Sequence, residues 1–285
     1  MEIKAYAKIN LYLDISSKRQ DGYHDLVTVM QSVSLADTLT FCRTDGDQIA
    51  LQTDGSLPAD ENNLICRAAN AYFARTGKPF GLSVYLEKRI PMQAGLGGGS
   101  ADAAATLRAL NQMDGDRFSL QELCEIGALI GADVPFCIMG GTQLCRGIGE
   151  VMEPVANRLT GTLVVAIGGE GVSTPAAFKE LDRKYNDFKQ REQKACPSAL
   201  LDAMRAGDAA AAVPQFQNLF EQVVCEMRPF VGKIKSTMVK NGAIAAMMSG
   251  SGPSVWGLFE NDTQAMQAQK ALAALGARAF VCHFV

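Results

Sequence analysis

No stretch of this sequence reaches the roughly eighteen uninterrupted apolar residues of a membrane span, and Met1 leads into a charged, alternating segment rather than a signal peptide. Neither charge sign is in excess. With 27 Lys and Arg against 30 Asp and Glu, the formal charge of −3 leaves no basic footprint for nucleic acid or an anionic membrane surface. The eight cysteines include no Cys-x-x-Cys pair, so neither a zinc ribbon nor a compact disulfide framework is legible. Reduced, mostly buried thiols in a cytoplasmic protein are the expectation. No internal repeat occurs, and no segment calls for an obligate protein partner. What remains is an ordinary globular composition, 48% hydrophobic and 20% charged. At 285 residues the chain suffices for one large domain or two smaller ones.

The order of elements predicts an α+β protein of two domains. Residues 2–15, EIKAYAKINLYLDI, alternate with period two. Ile3, Ala5, Ala7, Ile9, Leu11, Leu13 and Ile15 share a face expected to be buried, which sets Lys8 and Asn10 side by side on the opposite one. RQDGYHDL (19–26) reads as a turn on its Asp-Gly pair. Strands are expected near 26–41, 48–53 and 81–90, with a helix through ENNLICRAANAYFARTG. SLQE (119–122) is a capping box that opens a further helix. Beyond it, TLVVAIGG, two short apolar strands around SGSGPS, an amphipathic helix and RAFVCHFV follow the β-α-β-β-α-β order of a ferredoxin-like domain. The boundary is expected at 157, giving domains 1–157 and 158–285. Within the second domain, the charged tract 182–194 reads as a solvated linker or lid.

PMQAGLGGGSADAAATL (91–107) sets four glycines in five residues against an alanine-rich helix that Ser100 is placed to cap. Ordering glycine is entropically unfavourable, so such a cluster implies close approach of a ligand to the backbone. A Walker-type loop requires a lysine that is missing here, and a dinucleotide fold requires a third glycine where Ser100 stands. A bare strand-to-helix connection would need one or two glycines rather than four.

Pro91, Gly95, Leu96, Gly97, Gly98, Gly99, Ser100 and Ala101 resemble the phosphate-binding motif of the GHMP kinases. AKINLYL (7–13) resembles the first motif of that superfamily, and MSGSGPSVWGLF (248–259) resembles its C-terminal glycine-rich motif. DGYH (21–24) and IGADVPF (130–136) are similar to the branch whose small-molecule substrate carries a cytidine diphosphate group. The resemblance implies the two-domain GHMP fold, an N-terminal mixed α/β domain followed by the ferredoxin-like one. It also implies ATP and Mg²⁺, and transfer of phosphate to a hydroxyl in the non-mevalonate route to isoprenoid precursors.

On that resemblance Lys8 and Asp133 are the catalytic pair. Loop 95–101 holds ATP, with Ser100 on a phosphate oxygen or the metal and Asn63 near the adenine. Asn10 contacts the substrate. Tyr23 stacks on cytosine, His24 bonds the polar edge of the base, and Phe178 and Thr174 line the same pocket. The metal ligands are not legible. Asp102 is a rival carboxylate, but in the first turn of a helix an acid merely complements the dipole. The alternatives are another GHMP small-molecule kinase such as homoserine kinase, which DGYH argues against, and a non-catalytic nucleotide sensor on the same fold, which has no need of both Lys8 and Asp133.

Overall fold

The computed structural model describes residues 1–54, 60–185, 187–188, 191 and 195–285. Period-two alternation builds the two long opening strands, β1 (Glu2–Lys18) and β2 (His24–Thr44). Between them the Asp-Gly turn closes with the Arg19 N–H donating to the Tyr23 carbonyl at 2.8 Å. The expected open face of β1 is absent: every side chain from Ala7 to Ile15 is buried. Polar pairing makes this possible. The Asn10 amide donates to Thr28 Oγ1 at 2.8 Å, and the Thr28 hydroxyl donates to the Tyr12 carbonyl at 2.6 Å.

Next come β3 (Ile49–Thr53), α1 (Leu64–Thr76) and β4 (Gly81–Glu87). β3 pairs parallel with β4, which pairs antiparallel with residues 38–44 of β2. α2 (Gly98–Met113) packs on α1 and on α4, and its Ala101, Ala103, Ala104 and Ala105 are buried. α3 (Leu120–Ala128) opens with the expected capping box of Ser119 and Glu122, and α4 (Val134–Met139) follows.

β5 (Thr142–Gly147) pairs with residues 26–31 of β2 and with β6 (Val151–Pro154). Then follow β7 (Thr162–Ile167), α5 (Thr174–Lys184), α6 (Pro197–Ala206), α7 (Ala209–Ala212) and the two-residue β8 (Gln217–Asn218), which pairs parallel with Tyr12 and Leu13. The chain ends with α8 (Glu221–Met227), α9 (Pro229–Lys240), β9 (Ala245–Met248), β10 (Val255–Phe259), α10 (Asp262–Ala274) and β11 (Arg278–Cys282). Four of these strands form an antiparallel sheet in the order β11-β7-β10-β9. Counted along the chain that is fourth, first, third, second, the ferredoxin-like arrangement. Val164, Ala166, Val255 and Phe259 join Ile234, Met238 and Leu272 in its core. Trp256, fully buried, donates its indole N–H to the Asn10 carbonyl at 3.0 Å.

The chain separates into two compact units, and no single cut at 157 divides them. The first comprises Met1–Lys8, Leu35–Met92 and Gly97–Gly140; the second comprises Ile9–Ser34, Gln93–Leu96 and Gly141–Val285. β1 and β2 are long enough to contribute residues to both. The tract 182–194 also departs from a solvated linker where it is described. Asp182 to Lys184 close α5, Phe188 is buried in the second unit's core, and Arg191 pairs with the buried Asp14 at 2.5 Å.

Asn218 holds the turn after β9. Its amide donates to the carbonyls of Met248 at 2.7 Å and Gly250 at 2.9 Å, and its oxygen accepts from the Phe220 N–H at 3.0 Å. Asn218→Ala leaves two buried carbonyls and one N–H unpaired and is expected to lower stability by about 2–4 kcal/mol. Urea denaturation measures this, and a loss under about 1 kcal/mol would show that the turn holds without it.

Candidate active site

The first unit supplies a helix start with no cap. Gly97 occupies the N-cap of α2 in the left-handed conformation, φ 68°, and offers no side chain to the first-turn N–H groups. Ser100 is therefore not the cap; it lies inside the first turn. The conformation favours glycine, and so does the space. A Cβ at Gly97 would lie 2.9 Å from Lys8 Cγ and 3.8 Å from Asp133 Oδ2. Lys8 Nζ and Asp133 Oδ2 are 3.5 Å apart, the lysine side chain 6% exposed and the carboxylate 37%. Asp133 is the N-cap residue of α4 but makes no side-chain cap bond there, so its carboxylate is directed to Lys8 instead of the turn. The two candidate catalytic residues and the glycine-rich helix start are thus brought together.

Other candidates around the cradle divide by burial. Gly97 to Ser100 are half-exposed, whereas Pro91, Leu96 and Ala101 are buried and place their side chains in the core. Only their backbone remains to meet a ligand. A Cβ at Gly99 would lie 3.1 Å from Leu64 Cδ1, so the start of α1 lines the cradle. Asn63, one residue earlier, accepts from the Ile65 N–H at 3.0 Å as the N-cap of α1.

A buried ionic cluster that the motifs did not reveal lies under the same turn. Lys88 Nζ donates to Asp37 Oδ2 and, at 3.0 Å, to Asp102 Oδ2. Asp102 is therefore no surface complement to the helix dipole. It is 2% exposed, its Oδ1 has no partner among the described residues, and burial pushes its carboxyl up to about 8 against the opposing pull of Lys88. Asp37 was legible in principle, since it falls in the buried register of β2 between Leu35 and Leu39.

In the second unit Asn10 is 2% exposed, its amide held by Thr28 and its backbone N–H donating to Ser249 Oγ at 3.3 Å. Ser249, which the motif reading passed over, also donates to the Gly95 carbonyl at 3.0 Å. A Cβ at Gly95, φ 76°, would come within 2.2 Å of the Ser249 carbonyl oxygen.

The aromatic candidates lie in the same unit. Tyr23 is 62% exposed. His24 stacks on Phe178, ring centroids 4.5 Å apart and planes at 16°, with the edge of Phe188 at 5.7 Å. Phe178 thus turns one face to His24 itself. His24 Nε2 is 2.7 Å from Asp182 Oδ1, and Lys18 Nζ donates to Asp182 Oδ2 at 2.6 Å. Thr174, exposed at the start of α5, shares a hydroxyl bond with Ser251 at 2.7 Å.

This fold and these motifs define a class. The models of the GHMP kinases N terminal domain and the GHMP kinases C terminal domain match residues 63–141 and 198–278, and the chain belongs to the GHMP kinases. Within that class it is similar to 4-diphosphocytidyl-2-C-methyl-D-erythritol kinases. The protein of that name from Caldicellulosiruptor bescii is 39% identical over 95% of this chain and 94% of its own. That of Exiguobacterium sibiricum is 40% identical over 93% and 91%. A crystal structure of 4-(cytidine 5'-diphospho)-2C-methyl-D-erythritol kinase covers 100% of this chain and 99% of its own, at 34% identity and a TM-score of 0.85. Homoserine kinase from Cytophaga hutchinsonii, at 20% identity and a TM-score of 0.72, shares the fold.

Asp182 yields a prediction of pH dependence. Burial works to raise its carboxyl, but the bonds from Lys18 and His24 prevail and hold it below the ordinary carboxylate value. A lowered folded-state value means stability that is present at neutral pH and lost as pH falls through that value. Asp182→Asn is expected to cost about 0.5–1 kcal/mol at neutral pH. Urea midpoints from pH 7 down toward pH 3 should show the gap to the unaltered chain closing, and a constant gap would contradict the ion pairing.

Proposed function

We propose that this chain transfers the terminal phosphate of ATP to the 2-hydroxyl of 4-diphosphocytidyl-2-C-methyl-D-erythritol. The observation that carries the reading is the Lys8–Asp133 pair, 3.5 Å apart and seated against the uncapped start of α2. Phosphoryl transfer asks an enzyme to align an acceptor hydroxyl and to stabilise spreading charge, with little covalent chemistry. A carboxylate beside an ammonium at a helix N-terminus supplies those parts. Asp133 takes or orients the proton of the acceptor hydroxyl, and Lys8 offsets negative charge at the transferring group. The first-turn N–H groups of α2, from Gly98 to Ser100, hold phosphate oxygens. Relatives with the same printed activity, similar over 95% of the chain, support the choice of substrate.

Magnesium prefers oxygen ligands and keeps several waters. Among the described residues no cluster of three or more metal-ligating side chains occurs. The ion that phosphoryl transfer requires would be held chiefly through the nucleotide's own oxygens, with few protein ligands. For the cytidine group, the exposed Tyr23 ring is the stacking face, and His24, oriented by Asp182, presents its second ring nitrogen to the edge of the base. Thr174 and Phe178 complete that pocket. No helix among the described residues is long and apolar enough to cross a membrane. We place the activity in the cytoplasm, consistent with a soluble sugar-phosphate substrate.

The direct test is ATP consumption with the cytidylated methylerythritol, set beside homoserine and mevalonate. Turnover only with homoserine or mevalonate would reject the substrate, and no turnover with any would favour a sensor. Asp133→Asn keeps size but removes charge, and should lower kcat by about 10²–10⁴-fold with ATP affinity nearly unchanged. Lys8→Ala should do comparable damage, and the double variant less than the product of the two. Near-normal turnover of Asp133→Asn would remove it from the mechanism. Tyr23→Ala should raise KM for the cytidylated substrate by about tenfold, the scale of one base–aromatic stack. A loss of ATP affinity instead would assign that ring to the other ligand.

A further inference from the structure

Buried charges are costly, so three of them sharing one site beneath the start of α2 need a reason beyond stability. Asp37 is satisfied as an anion. It accepts from Lys88 and from the backbone N–H groups of Arg89 at 2.6 Å and Ile90 at 2.8 Å. Asp102 is not: its Oδ2 takes Lys88 at 3.0 Å, and its buried Oδ1 has no partner among the described residues. A half-satisfied buried carboxyl is cheaper to hold neutral than charged. The cluster also touches the cradle. Lys88 Nζ lies 3.0 Å from where a Cβ of Gly98 would be, and the Asp102 side chain, one turn into α2, leans back toward the helix start.

We propose that Asp102 is a positioning residue of the phosphate cradle: through Lys88 it fixes the first turn of α2, and its charge sets how strongly that turn holds an anion. This rests on the reading of α2 as the cradle for ATP. With Asp102 neutral, Lys88 and Asp37 balance and the helix start keeps its full attraction for phosphate. With Asp102 ionised, a net negative charge stands behind the anion site. The groups facing Asp102 are Asp37 from β2, Lys88 from the segment after β4, and Cys137 from α4. Burial pushes the Cys137 thiol up, with Asp133 adding to the effect and Lys8 opposing it, so it stays protonated through the range of interest.

The test is calorimetric ATP binding in magnesium buffer at pH 7, 8 and 9 on the unaltered chain and on Asp102→Asn, with thermal unfolding at each pH. Affinity of the unaltered chain should fall about three- to tenfold between pH 7 and 9, the scale of one unit charge acting across a partly buried site. Asp102→Asn should change by less than about twofold, because no carboxyl remains to ionise. Parallel profiles for the two proteins would overturn the proposal and leave Asp102 a structural residue. A second measurement does not depend on the variant folding. At pH 8, titrations in two buffers of different ionisation heat should show a fraction of a proton taken up per ATP bound, and no uptake would overturn the proposal by itself. Failure of the unaltered chain to bind ATP even at pH 7 would instead reject α2 as the cradle, and this inference with it.

Discussion

An α-helix leaves its first N–H groups without partners, and at the start of α2 the sequence withholds the usual remedy. Gly97 sits where a serine or aspartate would normally turn back to cap the helix, in a conformation such residues adopt poorly. Around it the other requirements fall into place. The absent Cβ makes room for the Lys8 side chain, Lys8 draws Asp133 away from capping α4, and Gly98 and Gly99 leave space for Lys88 and Leu64. One helix end denied an internal partner thus dictates residue types on β1, α1, α4 and the segment after β4.

Electrostatics in the first unit follows the same constraint. A helix start repels cations, yet two ammonium groups stand close to this one. Each is balanced by carboxylate: Lys8 by Asp133, partly open to water, and Lys88 by Asp37 and Asp102, closed off from it. In the first pair only the Asp133 carboxylate is open to solvent, whereas both carboxylates of the second cluster are closed off from it.

Much of this was legible because it is written locally. Alternation marked β1 and β2, the Ser119–Glu122 box marked α3, and the β-α-β-β-α-β order implied the sheet order that β7, β9, β10 and β11 adopt. Lys8, Asp133 and the glycine run stood out because they fall in short motifs that resemble those of the GHMP kinases. What escaped depends on pairings distant in sequence. Asp37 and Lys88 are 51 residues apart, and Asn10 meets Ser249 across 239. Asp102 looked like an ordinary first-turn acid because nothing nearby in sequence announces Lys88. The second face of β1 looked open for the same reason, its covering partners Thr28 and Ser249 being remote.

The single tryptophan of the chain gives the second unit a built-in optical reporter. Trp256 is wholly shielded from water, tied by its indole N–H to the carbonyl of Asn10, and met edge-on by Phe216 at 5.1 Å. Its emission therefore arises from one dry environment with one hydrogen bond, at the place where β1 meets the strand that follows the glycine-rich turn. A red shift on denaturation reads the exposure of that one residue, with no second indole to blur the signal.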